Sequence, residues 1–346
     1  MSLSREPYLS QTTDTKEAQP LLELRQLSKH FPIRGGMFQR QVRAIKAVNQ
    51  VNLAVYPGET VTLVGKSGAG KSILARTIVQ LIQPTSGAVL LDGKEMVKMG
   101  RAELRLARQR MQMTLQDPYT ALNPKMMVSE ILAEPLRIHK LADGRSQKER
   151  IAELLQLVGL NPYFAGRYPH EFSGSQRQRL NLARALATRP KLLIADDPLL
   201  ALDTAVQPQI VELLADLKEK LDLTLLLLVS NFAHVRAISD RIGVLHLGEI
   251  VELAEAEAVY ERPLHPHTQF IHSQTRRVET INDRLQPIQL TGPAPDPAKL
   301  PSGCNFRTQC PYATDICRDE MPPLRDLSKS DQPHLASCHH AERFQE

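Results

Sequence analysis

Two kinds of hydrophobic pattern alternate along the chain. Thr60–Val64, Lys191–Ala195 and Thr224–Ser230 are apolar at most positions, as in strands buried on both faces. Between them the period lengthens. Ile73–Leu81 reads as a helix. Ile151, Leu154, Leu155 and Val158 recur at helical spacing behind Ser146-Gln147-Lys148-Glu149, which reads as a capping box. Val206, Ile210, Leu213, Leu214 and Leu217 share one helical face. Buried strands alternating with amphipathic helices predict an α/β domain with a largely parallel sheet. Nearer the N-terminus the pattern differs. Leu21–Leu24 and Val51–Val55 are short strands. The segment Ile33 to Lys46, with Gly35, Gly36, Arg34, Arg40 and Arg43, reads as a hairpin with a solvated basic tip. Residues 1–20 are predominantly polar and read as a flexible tail. After Arg262-Pro263 the regular patterning ends, and Pro287, Pro293, Pro295, Pro297 and Pro301 mark 286–301 as a linker or irregular wrap.

Composition narrows the class. At 346 residues, roughly two domains are expected from about 150 residues each. An apolar share of 42% excludes wholesale disorder. The formal charge of +5 raises the question of nucleic acid, but the basic residues lack interleaved aromatics or a recognised module, so no nucleic-acid partner is expected. The N-terminal residues contain no apolar core of a signal peptide, and Leu223–Val235 is too short to span a bilayer as a helix. A cytosolic chain is expected, reaching a membrane only through partners. All four cysteines fall between Cys304 and Cys338, and in a reducing compartment such a cluster reads as a metal or cluster site before it reads as disulfides.

The chemistry begins at the end of the strand Thr60–Val64. Gly65-Lys66-Ser67-Gly68-Ala69-Gly70-Lys71-Ser72 fits the phosphate-loop pattern in its strand–loop–helix context. The glycines let backbone N–H groups close around phosphates at a helix N-terminus, Lys71 reaches the β- and γ-phosphates, and Ser72 is placed for Mg²⁺. Asp196, ending a second apolar strand, supplies the carboxylate that phosphate-loop NTPases use toward the same ion.

A third motif decides between phosphate-loop families. Phe172-Ser173-Gly174-Ser175-Gln176-Arg177-Gln178-Arg179 resembles the LSGGQ signature of ABC ATPases and stands about 20 residues before Asp196. Gln116-Asp117-Pro118 resembles their Q-loop and Ala201-Leu202-Asp203 their D-loop; Phe31 stands where they stack an aromatic on adenine. The match covers about 21–262. Gln116-Asp117-Pro118-Tyr119, Leu122-Asn123-Pro124, Glu134-Pro135-Leu136 and Arg262-Pro263 with His265, Pro266 and Thr268 look like the dipeptide/oligopeptide (and nickel) importer ATPases. Lys29-His30-Phe31-Pro32 is most similar to the F-type ATPase subunits of dipeptide permeases, and Gly303-Cys304-Asn305-Phe306 with Cys310-Pro311 and Cys317 resembles that subfamily's C-terminal extension.

The resemblance implies a phosphate-loop ABC nucleotide-binding fold: a mixed sheet core, an antiparallel β subdomain and a helical subdomain at about 118–185. A 1–20 tail precedes the ATPase domain at 21–262, and a small irregular extension fills 263–346. It implies ATP as ligand, with Mg²⁺ held by Ser72, Gln116 and Asp196, and a second, non-identical ATPase subunit whose ATP is completed by Ser173, Gly174, Ser175 and Gln176. It further implies two membrane permeases, indirectly a periplasmic or extracellular substrate-binding protein, and a place on the cytoplasmic side of a bacterial inner membrane. Import of di- or oligopeptides is the expected activity, with a nickel importer as the alternative. Non-transport ABC ATPases carry two cassettes or a long coiled-coil insertion, and neither is present.

Four positions depart from the family, among them Leu200, which stands where a small residue usually precedes Ala201. The base after the metal-binding Asp is normally Glu, and here it is Asp197; shortening by one methylene withdraws the carboxylate by about 1 Å, a misplacement that can cost about 10²-fold. The switch His is Asn231, which hydrogen-bonds but carries no charge. Ser175 replaces a signature Gly. Gln116, Asp197 and Asn231 are therefore the catalytic positions of a site expected to bind ATP and hydrolyse it slowly; a regulatory subunit with no hydrolysis of its own is the alternative. His234 is expected to be an ordinary helix residue.

Cys304, Cys310, Cys317 and Cys338 are separated by five, six and twenty residues. Zinc ribbons favour close C-x2-4-C pairs, whereas wide gaps suit a four-iron–four-sulfur (4Fe-4S) cluster, and the family resemblance points the same way. Zn²⁺ stays open through His334, His339 and His340, as do unligated thiols.

Overall fold

A computed structural model describes residues 19–35, 40–275, 288–329 and 331–345. Most of the N-terminal tail, the hairpin tip at 36–39 and the start of the proline-rich segment lie outside the described residues. The hairpin arms are longer than their apolar runs. β1 (Leu22–Gly35) and β2 (Arg40–Val55) pair antiparallel from Leu22 opposite Val55 to Gly35 opposite Arg40. β3 (Thr60–Val64) leads through the phosphate loop into α1 (Lys71–Ile78). β4 (Ser86–Leu91) returns beside β1, and β5 (Lys94–Glu95) completes an antiparallel sheet in the order β2-β1-β4-β5. α2 (Arg101–Arg110) leads to β6 (Met111–Thr114).

A helical block follows: α3 (Pro118–Ala121), α4 (Val128–Ile138), α5 (Gly144–Leu157) and α6 (Gly174–Leu186). The expected capping box is displaced. α5 begins at Gly144, so Ser146 is not the cap but lies in the first turn, where its hydroxyl accepts from Asp143 N (3.2 Å) and donates to Asp143 O (2.7 Å). Then come β7 (Leu192–Asp196), α7 (Gln207–Leu221), β8 (Thr224–Val229), β9 (Arg241–His246), β10 (Glu249–Glu255), α8 (Ala256–Glu261) and α9 (Pro266–Thr275). α10 (Asp315–Asp319), β11 (Arg325–Asp326) and β12 (Leu335–Ala336) lie in the cysteine segment.

Among the described residues the second sheet has the order β11-β12-β10-β9-β3-β8-β7-β6. The five strands from β9 to β6 are parallel to their neighbours; β10, β12 and β11 add an antiparallel edge. Alternation along the buried strands divides the core in two. Leu193, Ala195, Leu225 and Leu227 face the helical block, with Leu132, Leu180 and Leu214. Leu192, Ile194, Leu226 and Leu228 face α1 and the antiparallel sheet, with Leu74, Leu24 and Val51. The cysteine segment is thus less irregular than its sequence: β12 hydrogen-bonds to the otherwise open edge of β10, Ala336 opposite Glu252.

Candidate nucleotide site and cysteine cluster

β3, β8 and β7 are parallel neighbours, so their C-terminal ends bring the phosphate loop, Ser230 and Asp196-Asp197 to one edge of the sheet. Glycine is required at two loop positions. A Cβ on Gly65 would stand 2.7 Å from Leu245 O, and one on Gly70 (φ +105°) 2.0 Å from Ala47 O. Lys71 is buried. Its ammonium donates to Gly65 O (2.5 Å), Ser230 Oγ (3.2 Å) and Lys66 O (3.5 Å), and lies 3.6 Å from Asp197 Oδ2. Burial lowers its pKa, opposed by Asp197 and Asp196. Ser72 Oγ donates to Asp196 Oδ1 at 3.0 Å, while Asp196 Oδ2 is buried with no hydrogen-bond partner among the described residues. Burial raises the Asp196 pKa, opposed by the Ser72 hydrogen bond.

Asp197 is held in the left-handed region, φ +45°, with its N–H donating to Leu228 O at 2.7 Å. Its Oδ2 accepts a short hydrogen bond from Ser230. Burial raises its pKa, with Ser230 and Lys71 opposing. Ser230, which links Lys71 to Asp197, has no place in the motifs; its only sequence signal is its position at the end of a buried strand.

The other expected residues are more dispersed. Gln116 follows β6 and is half-buried. Asn231 is exposed, and its Oδ1 accepts from Ala233 N (2.9 Å) in a local turn. His234 is not on a helix: it lies in a run of turns with φ +62°. Phe31 is 36% exposed on β1, with the Lys29 ammonium 5.2 Å from its ring centre. Ser67 and Gly68 are exposed on the loop; Ala69 is buried beneath it.

The signature residues form the start of α6. Ser173 Oγ accepts from Gln176 N (3.3 Å), Gln176 Oε1 accepts from Ser173 N (3.0 Å), and the Ser173 and Ser175 hydroxyls stand 3.2 Å apart. Gly174 and Ser175 are half-buried and Ser173 is exposed, so the helix N-terminus is open to an external group.

The four cysteines are free thiols drawn into one region. Cys304 N donates to Cys317 O (2.8 Å), and Gly303, at φ +63°, leaves no room for a Cβ, which would lie 2.4 Å from the same carbonyl. Burial pushes the Cys310 thiol up to about 11 and Cys338 to about 12, and charge on the other cysteines pushes the same way. Backbone N–H groups point at the sulfurs: Phe306 and Arg307 toward Cys304, Tyr312 toward Cys310, and His340 toward Cys338 at 3.4 Å. Among the described residues, no three His, Cys, Asp or Glu side chains converge closely enough to hold a single metal ion.

Comparison with known proteins agrees with this geometry. Residues 48–200 match the family "ABC transporter", and 251–317 match "Oligopeptide/dipeptide transporter, C-terminal region". The chain is 43% identical to the oligopeptide transport ATP-binding protein AppF of Bacillus subtilis, over 92% of this chain and 97% of that protein. It is 39% identical to the di/tripeptide transport ATP-binding protein DppF of Pseudomonas aeruginosa, over 94% and 98%. Among solved structures, the dimeric ATP-binding cassette MJ0796 bound to ADP and Pi superposes with a TM-score of 0.60 at 30% identity, covering 68% of this chain and 98% of that one. CbiO1 from Clostridium perfringens shares the fold, with a TM-score of 0.60 at 20% identity over 76% and 100%. Identity of this order over nine-tenths of the chain, with both family regions in sequence, means that the protein belongs to the ATP-binding proteins of the oligopeptide/dipeptide ABC transporter family.

Proposed function

We propose that the protein is the ATP-binding and hydrolysing subunit of a bacterial peptide importer, working at the cytoplasmic face of the inner membrane through two permease subunits. A substrate-binding protein outside the membrane selects the cargo; nickel is the alternative cargo. One observation carries the nucleotide reading: Ser72 hydrogen-bonds one oxygen of Asp196, whose other oxygen is buried without a hydrogen-bond partner among the described residues, within the field of the Lys71 ammonium. That donor set suits Mg²⁺, with Ser72 and Asp196 as its holders. When bound, Mg²⁺ neutralises charge on the β- and γ-phosphates. Loop N–H groups and Lys71 bind the phosphates, the Phe31 ring offers adenine a face, and Gln116 orients water near the metal.

The subunit pairs with a second, non-identical ATPase, and the open α6 N-terminus with Ser173, Gly174, Ser175 and Gln176 meets the partner's γ-phosphate. The chain's own site hydrolyses slowly. Asp197 is one methylene short of the usual glutamate, its carboxylate is tied to Ser230 and Lys71, and Asn231 commits its carbonyl to a local turn. A subunit that only clamps the dimer with ATP is the second reading, favoured by the same two residues.

Cys304, Cys310, Cys317 and Cys338 hold a 4Fe-4S cluster. Four cysteines in one segment, three of them with backbone N–H donors at their sulfurs, suit a polynuclear cluster. Bound iron would stabilise the thiolates and staple the segment.

The test uses the assembled complex. Asp197→Glu with Asn231→His is expected to raise single-turnover hydrolysis at this site by about 10-fold or more; an unchanged rate overturns the slow-site reading. Iron and sulfide analysis after anaerobic purification is expected to give equal amounts of both, and zinc in their place overturns the cluster.

A further inference from the structure

The chain after residue 263 reaches the phosphate loop directly at one point and through an intermediary at another. On α9, Phe270 places its ring centre 3.9 Å from the Lys66 ammonium. Lys66 is the loop's second residue, and its carbonyl accepts from Ala69 N (3.0 Å) and from Lys71 Nζ (3.5 Å). The Lys66 ammonium is partly desolvated, and burial lowers its pKa; an aromatic face replaces part of the lost hydration.

The second grip reaches the loop's far end. Asn305 Nδ2 donates to Glu249 Oε2 (3.1 Å), and Asn49 Nδ2 donates to Glu249 Oε1 (2.5 Å). Next to Glu249, Gly248 donates its N–H to Ala69 O (2.9 Å) and accepts from Asn49 N (2.8 Å). Between the grips Phe306, 1% exposed, packs against His246 and His267 at 5.5 and 5.0 Å, seating the start of α9 beside the end of β9.

We propose that Phe270 is a positioning residue of the nucleotide site: its ring fixes Lys66, and so the carbonyl that aligns Lys71, while Asn305 secures Ala69 through Glu249 and Gly248. The C-terminal segment is therefore part of the loop's grip on phosphate. This rests on the reading of 65–72 as the nucleotide loop.

The test measures MgATP affinity of the full chain. Phe270→Leu keeps an apolar side chain at the site and removes the aromatic face; it is expected to raise Kd about five- to tenfold, while Phe270→Tyr stays within about twofold. Lys66→Ala is expected to weaken binding similarly, and Phe270→Leu then adds nothing in that background, the coupling of a direct pair. A merely structural role would lower the unfolding temperature and leave Kd unchanged, which overturns the proposal, as does tighter binding in Phe270→Leu. Lys71→Ala separates the two readings. If it binds like wild type, the nucleotide-loop reading falls and the proposal with it. If it loses ATP while Phe270→Leu binds normally, the proposal alone falls.

Discussion

Lys71 is held by loop carbonyls and by Ser230, which also joins it to Asp197. The serine hydroxyl receives Lys71 Nζ at 3.2 Å and donates to Asp197, joining a buried cation to a buried carboxylate. Desolvation alone would push Asp197 toward its neutral form, and Ser230 and Lys71 oppose this. Ser230→Ala removes a donor to a buried charge, so unfolding free energy near neutral pH is expected to fall by about 1–3 kcal/mol. Urea denaturation measures it, and a change under about 0.5 kcal/mol would mean the carboxylate is satisfied without the hydroxyl. The gathering of Gly65, Gly70, Lys71, Ser72 and Asp196 at one sheet edge is legible in the sequence because the phosphate-loop pattern fixes both their types and their spacing. Ser230 is not, because a serine at a strand end has many ordinary uses and its role exists only once β3, β7 and β8 lie side by side. His234 was misread for a related reason: left-handed backbone at a non-glycine residue leaves no mark in the apolar pattern.

At the scale of elements, the buried strands were read closely because a strand apolar on both faces has few alternatives, and β7 and β8 bear this out. α9 leaves no such mark in the sequence. Its buried residues include His267, Thr268, Gln269, His272 and Thr275, so a helix packed into the molecule lacks the apolar stripe that reveals helices. That polar burial has a pH consequence. Burial holds His246 down at about 4, His265 at about 3 and His267 well below the usual range, with Lys66 and the neighbouring imidazoles adding repulsion. In the unfolded chain these groups take up protons near pH 6.5. The folded values are depressed, so no proton-linked cost arises above about pH 6.5, and stability falls as pH drops from there toward the folded values. Each histidine is expected to contribute a slope of up to about 1.4 kcal/mol per pH unit in that window. His267→Leu should reduce the slope by about one histidine's share. Denaturant midpoints across mildly acid pH measure it, and an unchanged slope would mean that His267 is protonated in the fold.

For the whole molecule, the question is what binds the cysteine segment to the nucleotide core. From sequence, the segment is a proline-rich, irregular extension whose four cysteines suit a cluster. The structure adds a buried anchor in the core, Glu252 on β10, 0% exposed. Its Oε1 accepts from Leu264 N and from His334 Nε2, each at 2.7 Å, and its Oε2 accepts from His265 N at 2.9 Å. One carboxylate thus ties the sheet edge to the entrance of α9 and to the approach to β12, where Ala336 pairs with Glu252 itself. Sequence patterning could not show this, because Glu252 is one of three glutamates in Glu249–Glu255 and looks like a solvent-facing position until β12 covers it. Glu252→Ala leaves two buried backbone N–H groups and a histidine without their acceptor, a loss on the order of 3 kcal/mol or more. The loss should fall on the docking of the segment, because β3, β7, β8 and their helices share no hydrogen bond with Glu252. Limited proteolysis is therefore expected to cut Glu252→Ala after about residue 264 while the preceding fragment stays resistant. Glu252→Gln, which keeps acceptor capacity on one oxygen, should be cut more slowly. Equal protection of wild type and Glu252→Ala would mean that β12 and the packing of Phe306 hold the segment without the anchor.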